Sequence, residues 1–224
     1  MGVTDSGVAL QTMAIAEASA AACVIPAAWP LVAMMGAGFS DPGGIEKAAG
    51  DWDEVAKHID TIKAEMISLR DGVPEDQWSA QDRERFNQVV TRYNQDLAEA
   101  SHFVSSVGTI MQAMAYGYFA WSLLVFAAAQ VLAVQALAIV ASSWFPPAAA
   151  ALEVAANATA GVFDALMSVA SVSLTTAIEV AGGVVGAGMA VYLAAKQFRP
   201  GDGAASFTQA RLTPGGPMPN PGMA

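Results

Sequence analysis

The sequence predicts an all-α protein: a long antiparallel helical hairpin continued by a second hydrophobic helical hairpin, with a disordered C-terminal tail. Three observations carry that prediction. Apolar residues recur at alternating spacings of three and four through two charged segments. Residues 100–152 then contain no Asp, Glu, Lys or Arg, and Pro/Gly-rich sequence replaces both patterns near the C-terminus. Boundaries at these changes give an apolar N-terminal helix with a Pro-interrupted linker over 1–40 and a charged hairpin over 41–116. A hydrophobic helical region over 117–197, membrane-inserting or packed in a bundle, precedes a tail over 198–224.

In the first region no Lys or Arg precedes the apolar sequence, whereas Asp5 and Glu17 do occur, which is the wrong charge for a Sec signal. Residues 18–40 are uncharged, but Pro26 and Pro30 interrupt any helix there. A short helix followed by a bent apolar linker lying on the bundle is expected. The single cysteine, Cys23, cannot form an intrachain disulfide and is expected as a small buried hydrophobe.

Ser40-Asp41-Pro42 starts the next helix, with a polar cap followed by Pro at the first helical position. Ile45, Ala48, Trp52, Val55, Ile59, Ile62, Met66 and Leu69 form its seam, and Asp71-Gly72-Val73-Pro74 breaks it. A second seam runs through Phe86, Val90, Tyr93, Leu97, Ala100, Val104, Val107, Met111 and Met114, after a Ser79/Asp82 pair resembling a capping box. Two long helices with matching seams and a short connection fold back on each other.

The connection, VPEDQWSAQDRERF, opens with Trp78, has the small residue Ala80 two positions later, and reaches Phe86 as the first seam residue of the second helix. Together with the preceding IEKAAGDWDEVAKHIDTIKAEMISL, it resembles the WXG-type helical hairpins that are substrates of bacterial type VII secretion. The resemblance covers residues 41–116, with Trp78, Ala80 and Phe86 as its turn motif. The chain departs from that pattern in two places. Ala80 stands where the family has Gly, and no Tyr-x-x-x-Asp/Glu export signal follows from Tyr93, Tyr116 or Tyr118. In that family a partner chain often supplies the signal. The resemblance implies pairing with another helical hairpin chain, as a homo- or hetero-oligomer, through Trp52, Val55, Ile59, Phe86, Tyr93 and Leu97. The added N- and C-terminal helices are the other candidates for covering that surface.

Beyond Tyr116 the polar faces vanish, and a helix apolar all round is buried by protein or by lipid. Tyr118 and Trp121 near one end and Trp144 near the other stand where interfacial aromatics are expected. Pro146-Pro147 turns the chain into a further helix, in which Glu153, Asn157, Asp164, Ser168, Ser171, Thr175 and Glu179 share a stripe about 80° wide. A run of about 18 apolar residues is enough to cross a bilayer. Asp164 and Glu179 argue instead for a face turned to water or to a partner. Gly182 and Gly186 make a small-xxx-small pair, a weak pattern in so Ala/Gly-rich a chain.

A net charge of −10 and the lack of a basic face for phosphates argue against a nucleic-acid partner. His58 and His102 have acidic residues near them but no Cys or second His at metal spacing. No phosphate loop, nucleophile elbow or dinucleotide motif occurs, so no catalytic residue, metal, cofactor or small-molecule substrate is expected. The sequence therefore leads to a non-enzymatic, type VII secretion-associated protein at the bacterial cell membrane or secreted. It would pair through its hairpin and engage a membrane or partner through its apolar helices. A resident integral membrane scaffold with a cytoplasmic hairpin and a soluble self-assembling helical protein are the alternatives.

Overall fold

A computed structural model of the chain describes residues 2–72 and 80–198, with side chains through residue 183. The described elements are all helical. A 3-10 turn, Val3–Ser6, leads into α1 (Gly7–Ala22), and a second, Pro26–Ala28, bends the chain into α2 (Trp29–Ala37). Three longer helices follow: α3 (Pro42–Asp71), α4 (Ala80–Ala141) and α5 (Pro146–Phe198). Residues Met1–Val185 form one compact unit; the described part of the second, Gly186–Ala224, is the last stretch of α5. Trp78, Ser79 and the Pro/Gly-rich tail after residue 198 lie outside the described residues.

α3 begins where its sequence requires. The Asp41 carboxylate accepts a hydrogen bond from Gly44 N at 3.0 Å, and Pro42 occupies the first turn, where its missing N–H has no intrahelical partner to lose. The helix closes with Gly72 N donating to Ser68 O at 2.9 Å. α4 is uninterrupted over 62 residues, about 93 Å at helical rise, and serves both the hairpin and the apolar core. Its far end turns through residues 142–145, with Phe145 N donating to Ser142 O at 2.9 Å, and Pro146 opens α5.

α3 and α4 pack antiparallel through small residues. Ser101 Oγ donates to Ala56 O at 3.4 Å, and a Cβ placed on Gly108 would stand 3.1 Å from Ala49 O. Ala49, Ala56, Ser101, Gly108 and Ala115 are all buried, at intervals of about seven residues along each helix. The contact therefore centres on a column of small side chains. Half of the expected seam, including Ile59, Val90 and Leu97, borders that column. Val55, Ile62 and Leu69 point away from it instead. Gly108→Val would push α3 from α4 at its closest approach. The expected result is a loss of about 2–3 kcal/mol, seen as a lowered urea midpoint.

The main core lies at the other end of α4. Ala14, Ala18, Ala21 and Ala22 of α1, Leu31 and Met35 of α2, Val125, Ala129 and Leu132 of α4, and Ala156, Ala160 and Met167 of α5 enclose it. The N-terminal segment is thus part of this core, and the Pro-rich linker is a second helix rather than extended chain. α1 is fixed by a buried amide. Gln11 Nε2 donates to Ser40 O at 3.1 Å and to Ser122 Oγ at 2.6 Å, and Ser40 N donates to Gln11 Oε1 at 3.0 Å. One side chain thereby satisfies both backbone groups of Ser40, which burial would otherwise leave unpaired. Thr4 bonds Glu46, and Gln130 bonds Glu17, adding further polar ties between the N-terminal segment and the long helices. Cys23 is exposed, contrary to expectation: it follows the buried Ala21 and Ala22 at the end of α1, a step around the helix from the face that meets the core.

Candidate functional site

Among the described residues, two apolar regions stand on the surface, one on each half of α4. The first lies on the hairpin. In an antiparallel pair, the positions just before the close-packed column of each helix flank the seam on one common side. Those positions hold Ala48, Val55, Ile62 and Leu69 on α3 and Phe86, Tyr93, Ala100 and Val107 on α4, all apolar. Leu69 is 71% exposed, and Val55, Ile62 and Tyr93 are each nearly half exposed. The opposite flank is mostly polar, with Glu46, Asp53 and Asp60 beside the exposed Ile67 on α3, and Glu84, Thr91, Ala98, Ser105 and Gln112 on α4. The hairpin is therefore amphipathic as a pair, not only helix by helix.

The residues expected to bind a partner divide accordingly. Val55 and Tyr93 stand open on the apolar flank, and Trp52 is also exposed. Ile59, Phe86 and Leu97 are half-buried between the two helices. Trp78 lies outside the described residues, and Ala80 is described only as the first residue of α4, so the turn motif has no geometry beyond the position of Phe86. Near this end Arg70 Nε donates to Asp71 Oδ1 at 2.8 Å, and that hydrogen bond holds the Asp71 carboxyl below its ordinary range. Both groups are at the surface, where water and salt screen the pair.

The second region is formed by the outer faces of α4 and α5. Gln135 Nε2 donates to Thr159 Oγ1 at 3.1 Å, and a Cβ on Gly117 would meet Leu174 Cδ1 at 3.3 Å, so the two helices run antiparallel side by side. α5 turns Ala156, Ala160 and Met167 inward and leaves Val154, Val162, Leu166, Val169 and Val172 exposed. α4 leaves Leu123, Val131, Val134, Leu137 and Val140 exposed. Two helices, Gln81–Ala141 within α4 and Pro146–Gly183 within α5, are long and apolar enough to cross a membrane. The most apolar window of the first is 33% buried and that of the second 6% buried, so neither is simply the covered core helix of a bundle.

The aromatics expected at an interface occupy different environments. Trp144 is 83% exposed at the α4–α5 tip, beside Phe145, with ring centroids 6.0 Å apart. Tyr118 is half-buried. Trp121 does not reach the surface. It is 5% exposed, lies against the backbone of Gly38, and leaves its Nε1 without a hydrogen-bond partner. Its place in the expected row was set by sequence position along α4, whereas its helix face is the one that α1 and α2 cover. Trp29, which the sequence reading did not single out, is about half exposed at the start of α2.

The polar stripe of α5 runs along the flank of its buried face. Asn157 Oδ1 accepts from Ala27 N at 3.2 Å, and Ser168 Oγ approaches Met34 Sδ at 3.6 Å, so part of the stripe is used to dock α2 and the turn before it. Glu153 and Glu179 remain exposed. Gly182 of the small-xxx-small pair faces open space. His58 and His102 are exposed, and among the described residues no group of three or more His, Cys, Asp or Glu is placed to hold a metal. Comparison with protein-family models, curated proteins and solved structures returns no match.

Proposed function

We propose that this chain is a non-enzymatic, type VII secretion-associated protein that pairs through its α3–α4 hairpin and engages a membrane or partner through α4 and α5. The observation that carries the second half is the outward apolar surface of those helices, where Leu137 is 70% and Val154 72% exposed. Contiguous apolar surface on that scale marks an interaction site for protein or lipid. The first half rests on the amphipathic hairpin and on the resemblance of residues 41–116 to the WXG-type hairpins.

The manner of engagement is limited by charge. A hairpin inserted across the bilayer from its tip would carry Glu153, Asp164 and the Glu17 that bonds Gln130 into the hydrocarbon. Each Asp-like charge at mid-span costs about 2.5–3.5 kcal/mol on insertion scales. Surface engagement leaves all three hydrated.

Flotation of the purified full chain on a density gradient with phospholipid vesicles tests the reading. The protein is expected to rise with the vesicles and to form polydisperse assemblies without them. Failure to float, together with one defined oligomer in detergent-free buffer, would replace it by a soluble self-assembling protein. Carbonate-resistant membrane retention in cells, without any extracellular pool, would replace it by a resident membrane scaffold.

A further inference from the structure

We infer that the α4–α5 tip is a shallow wedge that enters one leaflet of a zwitterionic phospholipid bilayer as far as Glu153, without crossing it. This rests on the membrane reading given above and specifies its depth, its lipid and its leading residues.

The tip extends beyond the rest of the bundle. The turn before α2 is tied to α5 at Asn157, through the hydrogen bond from Ala27 N. From Asn157 to the start of α5 at Pro146 is about 16 Å of helix, and residues 143–147 and 150–155 are exposed. Within that extension Leu137, Val140, Trp144, Phe145 and Leu152 are exposed. They occur on both helices and on the loop, so the projection presents apolar side chains on several sides, with Ser142, Ser143 and Glu153 as its polar members. A protein-binding surface ordinarily has a polar rim about an apolar centre. Here the nearest charge on α4 is Glu99, and on α5 it is Glu153. Apolar side chains on both helices and the loop, with Glu153 the single charge among them, suit a fluid medium better than a one-sided partner.

The depth follows from the first charge. Glu153 is exposed and lies about 10 Å along α5 from Pro146. Interfacially bound helices sink their apolar faces by about 5–10 Å. Trp29, two residues past the Ala27 that bonds Asn157, is about half exposed and is the kind of amphipathic ring that meets headgroups. The net charge of −10 opposes anionic lipid, which selects a neutral headgroup.

The test uses the full chain carrying Cys23→Ser, so that one introduced thiol can take an environment-sensitive fluorophore. One version carries Phe145→Cys and the other Val169→Cys. With phosphatidylcholine vesicles, the label at 145 is expected to shift to shorter wavelength and to be quenched by nitroxide lipids, while that at 169 keeps its aqueous emission. Trp144→Ser combined with Phe145→Ser should weaken vesicle binding about tenfold or more, and phosphatidylglycerol should not strengthen it. Lipid quenching at both positions would overturn the wedge in favour of spanning while leaving the membrane reading intact. So would undiminished flotation of the Trp144/Phe145 variant, by placing the contact elsewhere. Absence of flotation by the unmodified chain would overturn both.

Discussion

Gly38→Val will destabilise the folded chain by about 3 kcal/mol, the upper part of the range for overfilling a well-packed core. A Cβ at Gly38 would lie 2.6 Å from Trp121 Nε1 and 2.8 Å from two further indole atoms. The conflict is with a rigid ring that is itself buried, so it cannot be relieved by swinging the end of a flexible side chain. Backbone conformation is the smaller part of the effect, because Gly38 has φ −90° and ψ 10°, outside the left-handed region. For a unit of this size the melting midpoint should fall by about 6–12 °C. Trp121→Leu in the same chain should recover part of the loss, and a double-mutant cycle measures that coupling. Additive losses would show that Gly38 and Trp121 do not meet as described.

Ile62→Glu combined with Tyr93→Glu should weaken hairpin-mediated association about 100-fold. Each apolar side chain contributes about 1.5–3 kcal/mol on full burial, and the introduced carboxylates would have to be desolvated as well. Both residues are nearly half exposed in the isolated chain, so the melting midpoint should hardly move. Sedimentation velocity across a concentration series separates these effects. A double variant that assembles as strongly as the parent would remove the flank from consideration as the pairing surface.

These two variants also show what the sequence made legible. The all-α architecture, the antiparallel hairpin, the Asp41 cap and the Pro146 turn were readable because each depends on local chemistry. The orientation of the hairpin was half readable. Hydropathy periodicity finds the apolar columns, but α3 and α4 approach most closely along Ala49, Ala56, Ser101 and Gly108, which that pattern scores weakly. Small residues permit the approach, and the larger ones beside them are left for another surface. Gln11 and Ser122 were not singled out because an isolated polar residue in an apolar run carries no periodic signal. Their significance appears only when Ser40 lies opposite them. Trp121 departs from the expected row for a related reason: distance along a helix can be counted, but the covering of its face by α1 and α2 is a tertiary fact.

The unbroken course of α4 over 62 residues has a mechanical consequence. A partner clasping the charged end and a bilayer wetting the tip would be joined by one continuous helical strut. Their separation would then be a fixed standoff, and a twist imposed at one end would be felt at the other.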